Sequence, residues 1–178
     1  MPLKPTISKL ARQTLKTAYD ELDRTITPGD KHDFGNTTLQ HVRKAALDIE
    51  NQLAARGSLR NTGRLMPLFQ GLEHYSKVVE ILCNGTPYLS WVWAPITLIL
   101  RIACEYVEAF EKIIKGYASI AESLKRFEIL SDAFIREHEF QRTLAVFYAD
   151  ILKFHKDAYK FVRRSGKKHK RDASKTVV

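Results

Sequence analysis

Cysteine is scarce: Cys83 and Cys104 are the only two in the 178 residues. Their number and spacing exclude a disulfide framework and a zinc ribbon. Each falls within a helical apolar pattern, so both read as buried thiols in a reducing compartment. The opening residues, MPLKPTISKLARQ, lack the unbroken apolar run of a secretory leader, which points to a cytoplasmic protein. No segment alternates apolar and polar residues with period two for long enough to make a strand, so an all-α fold is expected.

The patterns that carry catalysis are missing as well. A phosphate-cradling loop needs a lysine and a hydroxyl after its last glycine, whereas the string from Gly57 to Gly63 is wrongly spaced and followed by Arg64. His138-Glu139 is followed by Phe140, Gln141 and Arg142, so the second histidine of a zinc protease is absent. There is no G-x-S-x-G elbow and no Glu-x-x-His pair repeated on two helices. The six histidines (His32, His41, His74, His138, His155 and His169) are scattered and read as surface or half-buried helix residues. A non-enzymatic chain with no cofactor and no metal is expected.

What the chain does have is a dominant apolar stretch from Thr86 to Gly116, TPYLSWVWAPITLILRIACEYVEAFEKIIKG. It holds both tryptophans, and no charge falls between Glu80 and Arg101. Thr86 can cap a helix that starts at Pro87, and Gly85 can end the helix before it. Leu89, Trp93, Ile96, Leu100, Ala103, Val107, Phe110 and Ile114 recur at helical steps, with more apolar groups beside them. A belt that wide predicts a central helix covered on several sides. Pro95 lies too far inside for a helix start, so a kink there, or a restart at Pro95, is expected.

Around this segment the spacing predicts a first helix over about Thr6 to Thr25, a turn at Thr27-Pro28-Gly29-Asp30 and a loop through Phe34-Gly35-Asn36. A second helix starts at Thr37, capped reciprocally with Gln40, and is stopped by Gly57. A third runs from near Gly63 to Pro67 as far as Cys83, with Gly71 marking a close approach. Beyond the central helix come Ile120, Leu124, Phe127, Leu130 and Phe134, then a break at Glu137 to Glu139. The last helix carries Phe140, Leu144, Phe147, Ile151, Phe154, Ala158 and Phe161 at alternating steps of four and three, a seam that suits the central helix as partner. The whole predicts an antiparallel bundle of five to seven helices around a kinked central one, with Tyr75, Trp91, Trp93, Pro95, Phe110, Phe147 and Phe154 in the core.

Charge is uneven. The formal net charge is +9, and Arg163 to Lys175 (RRSGKKHKRDASK) holds seven Lys or Arg against Asp172 alone. Residues 1–162 therefore read as the bundle and 163–178 as a solvated, flexible basic tail. Arg163, Arg164, Lys167, Lys168, Lys170 and Arg171 are candidate contacts for an anionic membrane surface, each worth up to about 1 kcal/mol there. The same string has no interleaved aromatics to stack on bases, which argues against nucleic acid as partner. A membrane span is excluded within the apolar stretch, because Asn84 to Pro87 and Pro95 leave only Tyr88 to Leu100, against about 20 residues needed.

Several blocks together resemble a known family: Leu72-Glu73-His74-Tyr75-Ser76-Lys77-Val78, Pro87, Trp91-Val92-Trp93-Ala94-Pro95-Ile96, Tyr106, Phe110-Glu111-Lys112-Ile113, and Phe147 through His155. The run from Arg64 to Phe161 resembles the helical domain at the N-terminus of many fungal NLR-like proteins of the STAND class, where a NACHT nucleotide switch and repeats follow. The family more often has Trp-Gly-Pro where this chain has Trp93-Ala94-Pro95, which alters the kink geometry. Residues 1–63 resemble it only in being helical. The resemblance implies an effector or adaptor domain of an innate-immunity or heterokaryon-incompatibility receptor, without an ATPase of its own and with the switch beyond Val178. Two modes of signalling cell death are open. One is engagement of a membrane, as in HeLo-type bundles, with recruitment from the cytoplasm on activation. The other is homotypic assembly with further copies of the domain, acting as a scaffold without membrane activity.

Overall fold

The computed structural model describes residues 9–57, 66, 69–70, 88–128 and 137–175. Those residues form an all-α bundle, with no strand among them. Helix α1 spans Lys9–Thr25, α2 is the short Pro28–Lys31, and a 3-10 turn covers Phe34–Asn36. Helices α3 (Leu39–Ala55), α4 (Tyr88–Ala103), α5 (Val107–Glu128) and α6 (His138–Lys175) complete it. The expected third helix, with Tyr75, Cys83 and the close approach at Gly71, lies outside the described residues, as does the cap at Thr86.

The start of α3 is one residue later than the spacing suggests. Thr37 donates its hydroxyl to the Asp33 carbonyl at 3.1 Å and so closes the 3-10 turn, leaving Thr38 as the cap. Thr38 Oγ1 accepts from the His41 N–H, and His41 Nδ1 accepts from the Thr38 N–H at 3.2 Å. A histidine thus takes the role that glutamine or glutamate usually has in this box. At the far end Gly57 takes φ +71°, a left-handed value that closes the helix at little cost for glycine.

Two expectations for the apolar stretch, a single helix and a buried Cys104, need correction. The segment to Gly116 is two helices, separated by a turn at Cys104, Glu105 and Tyr106. The turn lets Tyr106 leave the α4 line and reach α6, where its hydroxyl lies 3.2 Å from the place a side chain on Gly166 would occupy. Cys104 is a free, half-buried thiol in that turn, not a core residue. Helix α4 continues through Pro95 without a restart. Gly116 is interior to α5, and Phe154 of α6 packs there so closely that a Cβ would stand 2.6 Å from its ring.

The close approach sets up a measurable conflict. Alanine at 116 gains about 1 kcal/mol of helix propensity but must displace the Phe154 ring, and overpacking typically costs about 1–3 kcal/mol. Gly116→Ala is therefore expected to lower the unfolding free energy by a net ~1 kcal/mol, read as a lower urea midpoint. An unchanged or raised midpoint would show that the ring yields freely.

Helix α6 organises the rest. Among the described elements its principal neighbour is α1, with α4 second, whereas the spacing points to α4. The reason is side-chain size. The buried face of α1 alternates Ala11, Leu15, Ala18 and Leu22, and α6 buries Ala145, Ala149 and Leu152, so the two axes can approach closely. The seam is also rotated from the phenylalanine line. Leu144, Tyr148, Leu152, His155, Tyr159 and Val162 are buried, while Phe140, Phe147, Phe154 and Phe161 are half-buried along the edge. Trp91, Trp93, Pro95 and Phe110 are buried.

Cross-helix pairs give the directions. Tyr106 meets Gly166, Lys112 sits over Phe161 and Tyr117 meets His155, so α5 and α6 are antiparallel. Glu21 pairs with Lys156 and Asp30, just past α1, with Arg163, an order that makes α1 and α6 parallel. Residues 163–175, expected as a flexible tail, are instead the last turns of α6. Lysine and arginine are good helix formers, and cations near a helix C-terminus are favoured by its dipole.

Candidate functional site

The basic end of α6 is built by a division of labour among its cations. Arg163 is tied to the bundle: its guanidinium donates to Asp30 Oδ2, and its plane lies 5.4 Å from the Tyr159 ring centre. Tyr159 donates its hydroxyl to the same carboxylate at 2.6 Å. Burial pushes the Asp30 carboxyl up, but the hydrogen bonds from Tyr159 and Arg163 outweigh it and hold the group below the usual carboxylate range. One turn earlier Lys156 reaches Glu21 Oε2 at 2.6 Å. Its hydrogen bond and charge lower the Glu21 pKa. Arg163, a candidate lipid contact by sequence, is thus a clamp between α6 and the N-terminal helices.

Arg164, Lys167, Lys168 and Arg171 are exposed, and so is Lys160 one turn before them. The side chain of Lys170 lies outside the described residues. At 100° per residue, positions 160, 164, 167, 168 and 171 fall on one face of the helix, within about 40° to 60° of a common line. Val162 and Gly166 fall on the opposite face, where Val162 is buried and Gly166 meets Tyr106. The cationic row is therefore the outward side of a helix backed by the bundle.

The interior holds a polar cluster that the sequence conceals. His155 is 0 % exposed. Its Nε2 lies 2.9 Å from the Val92 carbonyl, which can only accept, so Nε2 carries the proton. Nδ1 then accepts from the Tyr117 hydroxyl at 3.1 Å. Pro95 has no N–H to offer the Trp91 carbonyl one turn before it, and the next carbonyl, that of Val92, takes the bond from His155. Desolvation drives the His155 pKa down to about 4, partly offset by the bond to Val92, and burial pushes the Tyr117 phenol well up. Both groups are neutral at physiological pH and fully enclosed, so the cluster orders α4, α5 and α6 against one another.

A cleft of about 510 Å³ opens between the 28–37 segment, α3 and α4, with Asp33, His41, Phe34, Thr97 and Arg101 among its walls. Its acids and bases are mixed. Among the described residues no group of three or more His, Cys, Asp or Glu could hold a metal ion. Among them, too, no helix is long and apolar enough to cross a membrane.

The fold and this site define a helical bundle with a cationic helix end. Residues 64–175 match the model of a domain of unknown function, DUF7708, and the chain belongs to that family. The match takes in the basic end of α6 and leaves α1 to α3 outside it. No curated protein and no solved structure matches the chain.

Two features were hidden from the sequence. Nothing marked His155 as buried, although its place three residues after Leu152 and seven after Tyr148 puts it on the face those residues bury. The Asp30 clamp joins residues more than a hundred positions apart, and no local pattern signals it.

Proposed function

We propose that this chain is a non-enzymatic effector or adaptor domain of an NLR-like receptor of the fungal STAND class, which signals cell death by contact: assembly with other copies or a downstream NACHT module, or engagement of an anionic membrane surface. The observation that carries this reading is the exposed cationic row on α6, which gives the bundle a surface suited to contact rather than a reaction centre. The resemblance of the Trp91-to-Ile96 and Phe147-to-His155 blocks to such domains supports the receptor setting. The protein would reside in the cytoplasm and move to a membrane on activation. A homotypic scaffold without membrane activity is the second reading.

Light scattering across a wide range of concentration, together with sedimentation against anionic and neutral vesicles, tests the proposal. Concentration-dependent oligomers, or binding to anionic vesicles alone, is the expected result. A chain that stays monomeric and binds neither vesicle would overturn it.

A further inference from the structure

We infer that the outward face of α6, formed by Lys160, Arg164, Lys167, Lys168 and Arg171, is a peripheral docking surface that lies flat on an anionic lipid bilayer without inserting. The inference rests on the membrane branch of the proposed function and specifies its contact. The five residues are exposed and span eleven positions, about 16 Å of helix. Asp157 is the exposed acid at one end of the row.

Charge and shape choose the occupant. A row of cations along one side of a helix can meet several headgroups at once, each contact contributing independently to partitioning. The row itself carries no apolar side chain for insertion: Phe161 beside it is half-buried with Lys112 over its ring, and the opposite side, Val162 and Gly166, is already used against the bundle. Nucleic acid fits less well. Tyr106 packs on this helix at Gly166, so a duplex could meet the row only along its one outward face. The row also carries no aromatic platform for single strands. Arg163 takes no part, because its guanidinium is held by Asp30.

Vesicles of phosphatidylcholine with and without phosphatidylserine test this by sedimentation of the full chain. Wild type is expected to partition onto the serine-containing vesicles only, and added salt should release it. The double variants Lys167→Glu/Lys168→Glu and Lys167→Ala/Lys168→Ala should lose binding, roughly twentyfold or more, while keeping the wild-type circular dichroism spectrum. Arg163→Gln should change binding by less than about threefold, since one exposed cation is worth only about fivefold even when it is in contact. Anionic binding that is equally lost in Arg163→Gln, or unchanged in both double variants, overturns the assignment of this face while leaving membrane engagement standing. Absence of binding to either vesicle overturns the membrane branch itself. Tighter binding to duplex RNA than to anionic vesicles, abolished by the same double variants, would assign the row to nucleic acid and sink the inference.

Discussion

Trp91→Ala is expected to cost about 3–5 kcal/mol of unfolding free energy, a large part of the stability of a domain this size. Trp91 is 5 % exposed and stands where α4 meets α1, α2 and the 3-10 turn. Tyr19 of α1 meets its ring edge-on at 5.0 Å and Phe34 of the 3-10 turn does so at 4.9 Å. Lys31 of α2 places its ammonium 5.8 Å from the ring centre. Removing the indole leaves a cavity whose walls belong to separate helices and cannot all collapse at once, which places the cost toward the upper part of the range. Trp91→Phe keeps an aromatic edge for Tyr19 and Phe34 and should lose about half as much. Urea unfolding followed by circular dichroism reads both. A Trp91→Ala loss below about 1 kcal/mol would mean that the indole is not the pivot of the N-terminal packing.

Acid should weaken the fold well before the carboxylates titrate. His155 has a native pKa of about 4, against 6.5 when the chain is unfolded. Between those values the unfolded chain binds the proton and the native one does not. Stability is therefore complete above pH 6.5 and falls as pH drops, by about 1.4 kcal/mol per unit, until roughly 3 kcal/mol is gone near pH 4. The lowered carboxyls of Glu21 and Asp30 act in the same direction but only as pH falls through and below the carboxylate range. The window from pH 6.5 to about 5 thus isolates the histidine. His155→Gln should be less stable at pH 7, because the Tyr117 hydroxyl and the Val92 carbonyl lose a well-placed partner, and its stability should be nearly flat across that window. A mutant slope as steep as the wild type would assign the acid sensitivity to another group.

The helical class was legible because apolar periodicity survives in almost every segment, from Leu15 and Leu22 to Leu144 and Ile151. The breaks were less legible. Cys104 to Tyr106 contains neither glycine nor proline, and the helix stops there to let Tyr106 reach Gly166, a tertiary cause that local sequence cannot register. Gly116 is a poor helix residue by propensity, yet it lies inside α5, where the Phe154 ring fills the space a side chain would take. Polar residues on the buried side of α6 were misread for a related reason. Tyr148, His155 and Tyr159 weaken an apolar pattern, so the phenylalanine edge looked like the seam. The cationic residues could be listed from the sequence, yet only the backbone shows that five share one outward side and that Arg163 is spoken for.

The parallel pairing of α1 with α6 has a consequence for how the chain is made. Helices that run in the same direction cannot be joined by a short hairpin, and Glu21 waits for Lys156, 135 residues later, to emerge. During synthesis the buried leucines and alanines of the first helix lack their α6 partner until residues 138–175 have left the ribosome. Until then, among the described elements, the apolar face of α1 has chiefly α4 to pack against.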